Sequence, residues 1–336
     1  MRFIILLLFS INFIASEVNE IYINHDGHLR SYLKYIPESV NIEKPTDIFI
    51  GIHGYTGTAS GFQKETTGGF NKSADKYNFI TIYPQGLFFN PEPDNQNSFI
   101  SSWNDLVGSK TKSPAGEICA NDADKYPKYP GCSEGGRCSW TSCTDDIGFI
   151  KKIINLLNKD INIRDIYVLG MSNGGMMAQS LACNSPELFK AVINIVGMQH
   201  IGLSCIPEMP VNFIIYGGFH DKTVPPINIK SSDGYFYEPM NNTFNSWSEK
   251  FKCKTYSKNN YVYFDTFLQN QSSDCSDNVK VISILNMDRG HLWPGIDKSS
   301  GYCITDDQSN IFYPECKSSV INVWGNDFLI EILYKL

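Results

Sequence analysis

Residues Gly170-Met171-Ser172-Asn173-Gly174 spell G-x-S-x-G between an apolar run, Tyr167-Val168-Leu169, and a run compatible with a helix, Gly175-Met176-Met177-Ala178. That setting is a strand-to-helix turn presenting a serine at the carboxyl end of a strand. In such a turn the two backbones approach too closely for a β-carbon at Gly170 or Gly174. The helix start behind Ser172 offers unpaired N–H groups and a field that favours negative charge. A serine hydroxyl is a weak nucleophile until a base takes its proton, so the chemistry implied is acyl transfer, with a histidine and a carboxylate required elsewhere.

The chain has six histidines. His25 and His28 fall in an expected N-terminal hairpin and His53 belongs to another loop, while His200 comes too early and His220 sits beside a better acid candidate. His291, in Asp288-Arg289-Gly290-His291-Leu292-Trp293-Pro294-Gly295, follows the last expected core strand, where the chain order Ser, Asp, His puts the base. Asp221 lies in the loop after the expected strand 211–216 and is the candidate acid, holding the imidazole tautomer. Asp145 and Asp146 precede the serine and fit better as helix N-caps. An oxyanion hole needs the Asn173 N–H and a second donor from the loop Gly51-Ile52-His53-Gly54-Tyr55-Thr56-Gly57. Tyr55 N–H is assigned that role, with Thr56 as the nearest rival and His53 as a loop-fixing residue.

These residues need a frame. Strands are expected at 19–23, 30–36, 47–52, 79–83, 165–169, 191–196, 211–216 and 279–285, and helices at 146–158, 174–182, 242–252 and 320–334. Ile48-Phe49-Ile50 and Ile166-Tyr167-Val168-Leu169 are apolar on successive residues, as strands buried on both faces should be. Alternating strands and helices predict an α/β architecture, a mostly parallel sheet covered on both sides. Residues 84–143 form a long stretch rich in Pro, Gly, Asn, Ser and Cys with little periodicity, read as a functional loop forming a wall of the substrate pocket. Without internal repeat or linker, residues 17–336 read as one domain.

Residues 1–16 carry a basic start, an apolar run from Phe3 to Phe9 and a small-residue exit at Ala15-Ser16, the pattern of a secretory signal. The run is too short for a comfortable membrane span, and no stable membrane association is expected. Ten cysteines suit an exported, disulfide-bonded protein, and the sequons at Asn71, Asn241 and Asn270 agree with export. No paired C-x-x-C units with nearby histidines suggest a metal site, and no cofactor is expected. At 42% apolar and 19% charged residues, the composition excludes a disordered or coiled-coil polypeptide. A net charge of −7 leaves no basic stripe for nucleic acid. A monomer is expected.

With these motifs in order, the chain resembles the secreted feruloyl esterase and polyhydroxybutyrate depolymerase family of α/β-hydrolases. The resemblance runs from Arg30-Ser31-Tyr32-Leu33 through His53-Gly54-Tyr55, Tyr83-Pro84-Gln85-Gly86, Ser102-Trp103-Asn104 and Asp145-Asp146-Ile147-Gly148-Phe149 to the serine motif and Gly290-His291-Leu292-Trp293-Pro294-Gly295. It implies Ser172, Asp221 and His291 as a triad, agreeing with the reading from chemistry. It also implies the disulfides Cys183–Cys205 and Cys253–Cys275. The other six cysteines lie in loops that depart from the family pattern. Of these Cys303 is expected to pair with Cys316, and the pairing of Cys119, Cys132, Cys138 and Cys143 stays open.

The activity implied is hydrolysis of feruloyl or similar hydroxycinnamoyl esters of plant cell-wall polysaccharides, with polyhydroxybutyrate or acetylated xylan as alternative substrates. Trp103, Phe219 and Trp293 stand near the motif loops and are candidates for an aromatic acyl pocket. A different class of protein, a non-catalytic secreted binding protein on the same fold, is disfavoured because every triad and oxyanion position is chemically intact. A peptidase would be expected to bring a further substrate-selecting domain.

Overall fold

The computed structural model describes residues 18–90, 99–132, 136–296 and 324–336. The expected signal segment 1–16 and the cysteines Cys303 and Cys316 lie outside the described residues. Strands β1 (Val18–His25), β2 (His28–Tyr35), β3 (Thr46–Ile52), β4 (Ile80–Pro84), β5 (Ile163–Met171), β6 (Ala191–Ile195), β7 (Asn212–Gly218), β8 (Thr255–Tyr263), β9 (Asp265–Ser273) and β10 (Val281–Asn286) form a single sheet. Its spatial order is β1-β2-β4-β3-β5-β6-β7-β10-β9-β8. From β4 to β10 neighbouring strands run parallel, and antiparallel hairpins close both flanks. At the first hairpin Asp26 and Gly27 take φ 48° and 77°, the left-handed pair that matches a two-residue turn to strand twist.

The parallel strands are apolar on successive residues because each has a core on either face. Ile48, Ile50, Ile166, Val168, Phe213 and Ile215 pack towards helices α2 (Asp146–Asp160), α3 (Asn173–Asn184) and α4 (Met240–Lys250). Phe49, Tyr167, Leu169, Ile214 and Tyr216 belong to the opposite core, with α1 (Ala59–Tyr77) and α5 (Trp324–Leu333). Among the described residues no helix is long and apolar enough to cross a membrane.

Three elements differ from expectation. Helix α1 was not expected because Gly68-Gly69 and scattered polar residues blur its apolar stripe. Local chemistry nevertheless closes both its ends: Thr58 accepts from Gly61 N–H at 2.8 Å, and Asn78 turns left-handed at φ 59°. The β8–β9 hairpin was missed because β8, Thr255–Tyr263, is an exposed edge strand with no alternation to read. Residues 84–143 contain two short ribbons, Leu87–Phe89 with Ile100–Ser102 and Lys112–Ser113 with Gly116–Glu117. Disulfides Cys119–Cys138 and Cys132–Cys143 staple this insert. It is docked by Phe236 N–H to Ile118 O at 2.9 Å and by the Trp140 indole to His200 Nε2 at 2.9 Å.

Cys183–Cys205 and Cys253–Cys275 are also bonded, and no described cysteine is free. Of the sequons, Asn241 is exposed, whereas Asn71 and Asn270 spend their side chains on hydrogen bonds to Tyr83 and Thr81 and to Tyr256 and Ser283. A bridge across 22 residues such as Cys183–Cys205 restricts the unfolded chain and contributes about 3 kcal/mol. Reductant should therefore lower the melting temperature, and mass analysis after alkylation without reductant should find the eight described cysteines unmodified. Ready alkylation of the native protein would contradict this bonding.

Candidate active site

Ser172 lies between the end of β5 and the start of α3, held at φ 55°, ψ −121° with its N–H on Ile195 O at 2.8 Å. Few L-residues adopt that backbone, and holding it costs of order 1–3 kcal/mol. Two glycines make it feasible. A β-carbon on Gly170 would lie 1.9 Å from Gly174 O, and one on Gly174 would lie 2.3 Å from Ile52 O. The serine is thus pinned between α3 and the loop after β3, and a β-carbon on Gly54 would come within 4.0 Å of its Oγ.

Strand β7 pairs with β10 as far as Gly218 opposite Asn286, so the loops that follow leave the sheet at the same end. They join through Phe219 N–H to Asn286 O at 2.8 Å and His220 N–H to Arg289 O at 2.9 Å. Gly218 is required there, since a β-carbon would sit 2.1 Å from Gly290 O. This brings Asp221 Oδ2 within 2.7 Å of His291 Nδ1. Asp221 is 1% exposed, and its Oδ1 accepts from the N–H groups of Thr223 and Val224, each at 2.8 Å. The carboxylate is therefore fixed before it meets the imidazole.

The loop after β3 is tied from below. The His53 Nδ1–H donates to Gly54 O at 2.7 Å, and Nε2 accepts from Gly86 N–H at 2.9 Å, which assigns one neutral tautomer. Burial drives the His53 pKa down to about 4, against a backbone hydrogen bond that favours its charge. Thr56 N–H is spent on Ser101 O at 2.8 Å, whereas Tyr55 N–H takes no backbone acceptor among the described residues. At the other edge, Asn173 opens α3, where N–H groups lack helical partners. Its side chain clasps Trp103 through Trp103 N–H to Oδ1 at 2.7 Å and Nδ2–H to Trp103 O at 3.1 Å. The Trp103 indole N–H closes the knot on His53 O at 2.9 Å.

This knot corrects one expected role. Trp103 is 0% exposed and braces Asn173 and the His53 carbonyl of the loop that carries Tyr55, leaving no face for a ligand. Trp293, 2% exposed, also departs from the pocket assignment, with its indole N–H on Asn326 Oδ1 at 2.8 Å and its ring edge-on to Phe62. Of the three residues expected to line an aromatic pocket, only Phe219, 38% exposed beside the His220 ring, offers surface near the candidate triad. Asp145 does cap α2, accepting from Gly148 N–H at 2.8 Å. Asp146 instead forms a buried ion pair with Arg30 at 2.7 Å and accepts from Asn104 N–H at 2.7 Å, anchoring the segment that carries Trp103. Arg30 was not singled out from sequence; its signal is a cation on a buried strand position. Asp105 was missed too, because nothing in a polar loop marks one aspartate as buried. Among the described residues no cluster of three or more His, Cys, Asp or Glu side chains could hold a metal ion.

No family model matches the chain, and no curated protein matches it. Solved structures do. The acetyl xylan esterase from Aspergillus awamori aligns at 15% identity and TM-score 0.51, over 88% of this chain and 98% of that one. A structure named sOPH aligns at 12% identity and TM-score 0.50, over 84% of each chain. The chain has the α/β-hydrolase fold. At these identities the likeness concerns architecture, and the chemistry rests on the site.

Asp105 gives the site a titratable support. It is 0% exposed, its Oδ1 accepts from Gly108 N–H at 2.8 Å, and its Oδ2 has no hydrogen-bond partner among the described residues. Burial raises its pKa to about 7 from 3.8, with nearby Asp146 adding to the rise. The folded state thus binds more protons than the unfolded one between those values, and Asp105 costs stability as pH rises through them. His53 and His200, both lowered to about 4 from 6.5, act oppositely and cost stability as pH falls through their window. Asp105→Asn should therefore stabilise the protein by an increment that grows from pH 4 to 7, measured by urea unfolding. An increment that is flat or shrinks with pH contradicts the assignment.

Proposed function

We propose that the protein is a secreted serine ester hydrolase that works through an acyl-Ser172 intermediate. The observations carrying this reading are the Asp221–His291 contact of 2.7 Å and a serine held at φ 55° on a strand-to-helix turn. In the proposed cycle His291 Nε2 takes the Ser172 proton as Oγ bonds to the ester carbonyl carbon. The tetrahedral oxyanion rests on the N–H groups of Tyr55 and Asn173. His291 returns the proton to the leaving alcohol as the ester C–O bond breaks. Water, deprotonated by the same imidazole, then releases the acid and regenerates the serine. Asp221 holds the imidazole in place and steadies the imidazolium. Four disulfides support export into an oxidising compartment.

The substrate class is a hydroxycinnamoyl ester of a plant cell-wall polysaccharide. Its support is the aromatic character beside the oxyanion loop, where the Tyr55 ring meets the edges of Trp140 and Tyr126 at 5.5 and 5.6 Å, together with exposed Phe219. The burial of Trp103 and Trp293 removes two expected walls of an aromatic pocket and favours a second reading, acetyl ester hydrolysis. Methyl ferulate and p-nitrophenyl acetate separate the two. Wild-type protein should turn over both with higher kcat/KM on the ferulate, and a reversed preference would move the substrate to acetyl esters. Ser172→Ala should abolish turnover and covalent labelling by an alkyl fluorophosphonate, and Asp221→Asn should cost about 10⁴-fold in kcat. An Ala variant that keeps wild-type turnover would falsify the nucleophile assignment.

A further inference from the structure

Arg289 lies two residues before His291, and its guanidinium reaches across to the first residue of β9. Nε and Nη2 donate to the two Asp265 oxygens at 2.8 and 2.6 Å, a planar fork on a carboxylate that is 3% exposed. Asn286 Nδ2 donates to the same Asp265 Oδ2 at 2.9 Å and also contacts Tyr216 Oη at 2.8 Å, placing the last residue of β10 in the network. The loop between is stitched to the next residue of β9, with Thr266 N–H on Asp288 Oδ2 at 2.6 Å and Met287 N–H on Thr266 O at 2.9 Å. The Arg289 carbonyl then accepts from His220 N–H, one residue before Asp221. One residue thus holds the histidine loop with its side chain and the aspartate loop with its backbone.

We infer that Arg289 is a positioning residue for His291, acting through the buried carboxylate of Asp265 to set the Asp221–His291 alignment. This rests on the reading of His291 as the base. A buried ion pair is weak evidence for stability, since apolar residues of similar volume often serve as well. A bidentate fork fixes direction as well as distance, which a hydrophobic contact does not. Burial acts to raise the Asp265 carboxyl pKa, but the hydrogen bonds from Arg289 and Asn286 and the Arg289 charge outweigh it and leave it lowered, so the fork keeps an ionised partner.

The Arg164–Asp47 pair supplies an internal control. Arg164 grips Asp47, 1% exposed, with Nε on Oδ1 at 2.7 Å, at the start of the parallel strands and away from the triad loops. The full chain should be compared as wild type, R289M, R289K, D265N and R164M. Three quantities are read: the melting temperature, kcat and KM on methyl ferulate or p-nitrophenyl acetate, and the downfield proton resonance of the His291 Nδ1–H bound to Asp221. R289M should lower kcat about 100-fold with KM little changed, the scale of a small misplacement of a reacting group. It should also shift or broaden the resonance. R289K keeps the charge without the fork and should restore part of both, while D265N should follow R289M. R164M should lower the melting temperature and leave kcat and the resonance unchanged. If R289M does not fold, R289K and D265N carry the test. Wild-type kcat and an unmoved resonance in the folded Arg289 and Asp265 variants would overturn the inference, whatever their melting temperatures. If wild type neither turns over esters nor takes a fluorophosphonate on Ser172, the esterase reading fails by itself, and the resonance still decides the positioning role.

Discussion

Much of this molecule follows from one steric constraint, the approach of β5, α3 and the β3 loop to within a distance that admits no β-carbon at Gly170 or Gly174. The backbone of Ser172 has little choice there: it must turn left-handed, and the side chain is presented at the carboxyl end of the sheet. A strained residue persists only if its surroundings over-determine it. Here they do, through parallel strands buried on both faces and through α3, whose residues Met176, Met177, Ala178 and Leu181 are all 0% exposed. The same closeness brings the first N–H groups of α3 alongside the loop that carries Tyr55, so the candidate nucleophile and the candidate oxyanion site arise from one packing decision.

That loop is then secured by neutral polar groups rather than charges. Asn173, Trp103 and His53 are linked in a chain of hydrogen bonds, and the His53 ring is completed by Gly54 O and Gly86 N–H. In a water-poor setting an unsatisfied member would cost about 1–3 kcal/mol, so such a network tends to be complete or absent. A charged histidine at position 53 could not accept from Gly86 N–H, and the lowered pKa reflects the same requirement seen from the protonation side. Behind this network, the Arg30–Asp146 pair supplies charge where it can be matched, with Asp146 taking up Asn104 N–H.

Legibility in the sequence tracks how local each physical cause is. The elbow was readable because glycine at both flanks and an apolar run before it are the direct imprint of the steric constraint. The parallel strands were readable because burial on both faces removes polar residues altogether. Helix α1 and the β8–β9 hairpin were not, since their surfaces are mixed or exposed and periodicity carries no signal there. Trp103 and Trp293 illustrate a different limit: an aromatic residue beside a motif loop can line a pocket or brace a backbone, and only burial with a committed indole N–H tells which. The pairing within the insert was likewise invisible, because Cys119, Cys132, Cys138 and Cys143 admit several pairings and the choice depends on tertiary proximity.

The unread hairpin bears on the site in a way that contrasts with the serine. Ser172 is held by contacts between backbones, local enough to leave a five-residue pattern. His291 sits on a loop of no regular structure, and its bearings are long-range: Asp265 is 24 residues before Arg289 in the chain, and Asp221 is 70 before His291. A loop closed by a few hydrogen bonds opens at little cost unless those bonds are directional and shielded. The β8–β9 hairpin provides both, because it extends the sheet past β10 and places a buried carboxylate where the loop leaves the strand. An edge hairpin that looks peripheral in sequence thus completes the foundation of the candidate triad, since without β9 the strand preceding His291 would itself be an edge and its loop would face solvent on that side.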